Sequence, residues 1–170
     1  MSNEDRDAFL LERRLGTLAI GRVGKGPLMA PIWYRYTPGG TVDICMGGAS
    51  AKAKRLRAEG RATMSVLQEG QPYKYVTVEG PISVESLGEA TFDEILAMST
   101  RYLGTKGGLR YTGDFMENLT RDNLHNDHGA EEVIVRIHRN SGVPRCSDSL
   151  GVRFLRVFSP LPYVVMRPGR

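Results

Sequence analysis

Short stretches of apolar–polar alternation dominate this chain, and they predict six strands. They fall at 17–23 (TLAIGRV), 28–36 (LMAPIWYRY), 42–46 (VDICM), 61–68 (RATMSVLQ), 73–84 (YKYVTVEGPISV) and 133–137 (VIVRI). In the third, Val42, Ile44 and Met46 alternate with Asp43 and Cys45, the period-2 signature of a half-buried strand. In the fifth, Val76 and Val78 share one face while Tyr75 and Thr77 share the other. Turn residues separate the runs at Gly24–Pro27, Pro38–Gly40 and Glu69–Pro72. Pro31 cannot donate to a ladder, so its strand belongs at an edge or carries a bulge.

Elsewhere the period lengthens to that of a helix. Ser2 offers a cap before Glu4 and Asp5, and Ala8, Leu11 and Leu15 recur at helical spacing, which predicts a helix over 3–13 ended by Gly16. Thr91-Phe92-Asp93-Glu94 reads as a capping box. Phe92, Ile95, Leu96, Tyr102 and Leu103 then fall on one face of a helix over 91–103. Gly104–Gly108 stops it, and a second helix over about 113–124 turns Phe115, Met116 and Leu119 inward. The fold class is mostly β with flanking helices (α+β). Its six strands form an antiparallel barrel, because closure removes exposed edges.

The stretch with the most chemistry lies between the third and fourth strands. Gly47 and Gly48 end a strand and allow positive φ, so backbone can approach a ligand closely. Ser50, Lys52 and Lys54 open the helix that follows, and Arg57 lies one turn on. A helix N-terminus has free N–H groups and the positive end of the dipole, so a hydroxyl and two ammonium groups there suit a phosphate. For the charge alone, a solvated basic helix over 51–59 is the better reading. The order of the parts favours the anion site.

SAKAKRLRAEGRATMSVLQEG followed by YKYVTVEG resembles the pyridoxamine 5′-phosphate oxidase-like family of flavin and deazaflavin proteins, which are split β-barrels. The likeness runs from Ser50-Ala51-Lys52 through a basic, Leu-containing helix to Arg61-Ala62. It ends in Val76-Thr77-Val78-Glu79-Gly80, and covers roughly residues 9–137. The resemblance implies an FMN-binding-like six-stranded split barrel, with a cofactor groove between two copies of the chain. It implies that Pro31, Ile32 and Trp33, within Ala30-Pro31-Ile32-Trp33-Tyr34, lie along the ring of the cofactor. Met46 and Tyr75 join them by position. As residues alone, Trp33 reads equally well as a core or interface aromatic, and Tyr75 reads better as strand packing.

Composition narrows the alternatives. The chain has 170 residues, 41% apolar and 25% charged, with net charge +4, as expected of one soluble domain with a modest preference for anions. Lys52, Lys54, Arg55, Arg57 and Arg61 concentrate that charge within ten residues. No apolar run approaches the roughly 20 residues of a membrane span. The first residues are too charged for a signal peptide, and Cys45 and Cys146 form no paired motif, which together point to the cytoplasm. His125-Asn126-Asp127-His128 lacks a third metal ligand at a known spacing and reads better as a polar loop. Nucleophile elbows, phosphate-binding loops and dinucleotide fingerprints are missing, as are nucleic-acid-binding signatures. After residue 137 the character changes: 138–170 is rich in Arg, Ser, Pro and Gly, with Asp148 its one acidic residue. This tail departs from the family pattern. It reads as a translational frame change near His138 or, where native, as an added strand over 152–158.

Residues 1–137 thus read as a split-barrel, cofactor-binding domain. The expected protein is a homodimeric oxidoreductase using F-420, with FMN as the alternative, on a small-molecule substrate. No catalytic side chain is assigned, since the reactive atoms of such enzymes belong to the cofactor. A carrier that binds the cofactor without turnover needs the same residues. A nucleic-acid binder using the basic helix ranks last.

Overall fold

In the computed structural model, which describes residues 2–125 and 131–138, the alternating runs form one antiparallel sheet curled into a half-barrel. The chain runs α1 (Asn3–Leu11), β1 (Gly16–Ile20), β2 (Leu28–Ile32), β3 (Arg35–Tyr36), β4 (Val42–Gly47), α2 (Ala51–Glu59), β5 (Arg61–Leu67), β6 (Tyr75–Ser86), α3 (Thr91–His125) and β7 (Glu132–Ile137). The strand order is β2-β1-β5-β6-β7-β4-β3. Both the His125–His128 motif, apart from the helical backbone of His125, and the tail from 139 onward lie outside the described residues.

Among the described residues seven strands replace the six expected, because the 28–36 run serves two lobes. Its first part pairs with β1, Pro31 opposite Thr17, and Arg35 then pairs with Asp43 of β4. Tyr34 sits at the crossing, fully buried, with its hydroxyl donating to Leu10 O at 3.1 Å. Pro31 is on an edge strand, where its missing N–H costs no ladder bond. β6 joins the lobes from the other side. Its first half pairs with β5 up to Pro81, and Ile82–Ser86 pair with β7. At the changeover a Cβ on Gly80 would lie 2.1 Å from His138 O, so no side chain fits.

The core fills the inside of the curl. Leu18, Ile20, Ile44, Met64, Val66 and Val76 are its fully buried centre, and α2 closes it with Ala53 and Leu56. Burying one such leucine stabilises the fold by roughly 1.5–3 kcal/mol. α1 has the expected cap, with Ser2 and Asp5 exchanging hydrogen bonds, but it buries Phe9 and Leu10 rather than Ala8 and Leu11. It also ends at Leu11, where Arg101 donates to the carbonyls of Leu10, Leu11 and Glu12 at 2.7–3.1 Å. A cation at a helix C-terminus satisfies the orphan carbonyls there.

α3 departs most from expectation. Its break is at Gly104 (φ 72°), as the glycines suggested, but the second arm begins at once instead of near 113. Gly107 and Gly108 are helical because the arms fold back on each other. A Cβ on Gly108 would lie 2.4 Å from Thr100 Oγ1. Ser99 Oγ, buried in that seam, is 3.2 Å from Gly108 O and 3.0 Å from Thr112 Oγ1. The first arm also faces differently. Thr91 Oγ1 donates back to Gly88 O instead of capping, and the buried line is Thr91, Ile95, Met98 and Ser99, leaving Phe92 and Leu103 exposed.

Candidate functional site

The β4–α2 junction is built around a tight backbone turn. Gly48 N–H donates to Glu131 O at 2.7 Å, and Gly48 O accepts from Arg57 Nη1 at 2.6 Å. A Cβ on Gly48 would lie 2.9 Å from Glu131 O and 3.1 Å from Val133 Cγ1. Neither Gly47 nor Gly48 takes positive φ. Glycine is required at 48 for close packing onto β7, which corrects the expectation from backbone freedom.

Ser50 caps α2, its Oγ accepting from Ala53 N–H at 3.1 Å. The N–H groups of Ala51 and Lys52 have no acceptor one turn back, as at any helix start. Beside them opens a cavity of about 530 Å³, within the range of small-molecule sites. One end is polar, formed by Gly47, Ser50, Lys52 and Glu132, with Cys45 next to it. The other is apolar, formed by Trp33, Ile95, Met98, Tyr111 and Phe115, and Leu15, Pro31, Ile32 and Met46 complete the wall.

The aromatic end is fixed by the α3 hairpin. Trp33 stacks on Tyr102, centroids 4.9 Å apart, and meets Tyr111 at 5.3 Å in a tilted contact. Tyr111 in turn lies 6.3 Å from Phe115. An ion-pair row holds the start of α3 over the sheet: Arg35 donates to Glu94 at 2.5 Å and reaches Asp43 at 3.6 Å. Burial pushes the Cys45 thiol up to about 12, helped by the nearby Glu94 charge. Glu132 is also raised, by burial alone.

Six of the nine residues singled out in the sequence meet at this cavity: Pro31, Ile32, Trp33, Met46, Ser50 and Lys52. The other three do not line it. Lys54 is exposed on α2, and Tyr75 is on β6 opposite Leu67. Arg57 spends its guanidinium on Gly48 O, so it shapes the turn. Arg61 pairs with Glu79 at 3.6 Å, so of the five basic residues concentrated over 52–61 it is Lys54 and Arg55 that extend the positive charge beyond the cavity.

Sequence reasoning missed Cys45, Glu132, Tyr111 and Phe115. Phe115 belongs to the helix expected over 113–124, but Tyr111, one turn before it, falls short of that start, which hid the pairing of the two rings. Cys45 and Glu132 lie on strand faces that alternation assigns to solvent, and α3 covers that face. Among the described residues no group of three or more His, Cys, Asp or Glu is placed to hold a metal ion. No described helix is long and apolar enough to cross a membrane.

No protein-family model and no curated protein sequence matches the chain, so the comparison rests on solved structures. An F-420 reductase superposes with a TM-score of 0.57 at 20% identity, over 78% of this chain and 90% of its own. A conserved hypothetical protein from Mycobacterium tuberculosis gives 0.60 at 23% identity, over 81% and 79%. A protein provisionally described as a pyridoxamine 5′-phosphate oxidase, from Listeria innocua, gives 0.53 at 14%, over 91% and 98%. The chain has the split-barrel fold of the pyridoxamine 5′-phosphate oxidase-like proteins. This split barrel is the architecture that the SAKAKRLRAEGRA stretch implied, with one strand more.

Proposed function

We propose that this chain binds a deazaflavin or flavin, F-420 first and FMN as the alternative, and uses it as an oxidoreductase on a small organic substrate. The observation that carries the reading is the division of the cavity: a helix N-terminus with Ser50 and Lys52 at one end, an aromatic and apolar wall at the other. That division matches a phosphate joined to a flat ring. The residues fit the group. Lys52 makes no ion pair with another described residue, and it lines the cavity beside Gly47 and Ser50.

When bound, the ring supplies hydride or electron transfer. The chain's own part is to hold the phosphate end at Lys52 and the start of α2, to orient the ring against Trp33, and to exclude water with Ile95 and Met98. The F-420 reductase among the structures of this fold supports the first choice of cofactor, as do exposed Lys54 and Arg55, placed for a longer anionic tail. Two copies of the chain form the complete site in this proposal. Tyr111 lines the cavity and is exposed, and Leu109 and Leu103 lie exposed near it on α3.

Parallel fluorescence titrations with F-420 and FMN test the proposal. Micromolar binding of F-420 alone is the expected result, and tight binding of FMN alone selects the alternative. A folded chain that binds neither overturns the reading.

A further inference from the structure

Among the described residues, Glu132 is the one acidic side chain lining the cavity. It sits opposite Gly47 in the β4–β7 ladder, and its Oε1 lies 3.4 Å from where a Cβ on Gly47 would be. The carboxylate therefore rests over the strand end that leads into the Ser50–Lys52 turn. The backbone of Glu132 is committed, its carbonyl accepting from Leu87 N–H at 2.9 Å. Its carboxylate is not. It makes no hydrogen bond or ion pair with another described residue, although it is half-buried, and Lys52 in the same cavity stays beyond ion-pair distance.

A half-buried carboxylate without donors is costly, because an ionised oxygen taken from water needs hydrogen bonds in exchange. An ionised carboxylate only accepts, so whatever satisfies it must carry O–H or N–H groups. The site of those donors is set by the layout. They lie beside the anion-binding residues Ser50 and Lys52, at Gly47 where β4 enters the turn. We propose that Glu132 is a specificity-determining residue that reads hydroxyl donors next to the anionic group of the ligand. This rests on the proposed function, in which a ribityl chain adjoins that group. The cavity would then discriminate against a bare ring by leaving Glu132 unsatisfied.

The test titrates the full chain and its Glu132→Gln and Glu132→Leu variants with five probes. These are FMN, riboflavin, F-420, the ribityl deazaflavin without phosphate, and lumiflavin, which keeps the ring without the ribityl chain. Circular dichroism confirms folding, and the glutamine variant, matched in shape, keeps the test open where leucine disturbs the fold. The unaltered chain should prefer riboflavin, or its deazaflavin counterpart, over lumiflavin by about tenfold, the scale of one charge-assisted hydrogen bond. Glu132→Leu should remove that preference by weakening the ribityl ligands while lumiflavin binding stays level, and Glu132→Gln should keep part of it. Equal or tighter binding of the ribityl ligands by both variants would mean that Glu132 merely opposes the phosphate, and would overturn the inference. A preference for ribityl ligands that persists in Glu132→Leu overturns it too. Failure of the unaltered chain to bind any of the five is a different result, one that removes the proposed function and this inference with it.

Discussion

Trp33 lies flat against Tyr102, with ring centroids 4.9 Å apart and planes only 6° from parallel. One face of the indole is thus taken by the protein itself, and the rest of the ring borders the cavity. Trp33 is also the only tryptophan in the chain. Its emission should therefore report on the cavity alone, and a flavin or deazaflavin bound there should quench it in proportion to occupancy. Emission unchanged at saturating ligand would place the bound ring elsewhere.

The same tyrosine anchors two segments through its hydroxyl. It accepts from Tyr34 N–H at 3.0 Å and donates to Arg14 O at 2.8 Å. Tyr102→Phe keeps the stack and deletes both bonds, leaving a part-buried N–H without a partner. The expected loss is about 1–3 kcal/mol of stability in urea unfolding, with the denaturant slope unchanged.

Lys52 and Lys54 differ by two positions and should differ sharply in effect. Lys52 lines the cavity and Lys54 points to solvent. Lys52→Ala should weaken cofactor binding by at least about tenfold, since a charge-assisted phosphate bond is worth roughly 1.5–3 kcal/mol. Lys54→Ala should change FMN affinity by no more than about twofold, as a screened surface charge does. Equal losses in the two variants, measured by titration, would show diffuse attraction and no built site.

How far this was legible in the sequence depends on the element. Val42, Ile44 and Met46 point into the core as their alternation requires, and Ser50 caps α2 where its position before a helical run suggested. Those are local signals, fixed by period and by side-chain-to-backbone bonding. The 28–36 run could not be divided from its own residues, because what divides it is the choice of partner: β1 for Pro31, β4 for Arg35. The site was half legible for the same reason. Lys52 and Trp33 stood out by residue type, whereas Glu132 and Cys45 matter only because α3 returns over a strand face that would otherwise meet water.

Asp43 sits between two arginines that are its cross-strand partners, Arg35 on β3 and Arg136 on β7. The distances are 3.6 and 3.7 Å, Thr41 Oγ1 donates to the same carboxylate at 2.7 Å, and Arg136 also pairs with Glu85. Asp43 is buried while both arginines are part-exposed, so the charge that must not be removed is the central one. Asp43→Asn should destabilise the fold by about 1.5–3 kcal/mol, the scale of hydrogen bonds to charged groups. High salt should recover little of it, because the carboxylate is shielded from counterions.

Cys45 borders the cavity, yet its thiol is pushed up to about 12 from 9.0, chiefly by burial. The thiolate is the nucleophile, and such a shift leaves about a thousandth of the usual thiolate at a given pH below both values. In a Cys146→Ser background, alkylation at pH 8 should be slow in the folded chain and fast once urea unfolds it. Rapid labelling of the folded chain would mean that water reaches this wall of the cavity freely.

Glu132 couples the site to stability. Burial holds its folded-state pKa above the ordinary carboxylate value. The folded chain therefore binds the proton more tightly than the unfolded chain, and stability falls as pH rises from the unfolded value through the folded one. Below that window the carboxyl is neutral in both states and the penalty vanishes. Glu132→Gln removes the ionisable group, so the variant should have a higher urea midpoint than the unaltered chain at pH 7 and the same midpoint near pH 3.5. A bound ribityl ligand should narrow the difference at pH 7 by supplying the carboxylate with donors. A variant less stable than the unaltered chain at pH 7 without ligand would mean that the carboxylate already has a partner, and its role in recognition would fall with that result.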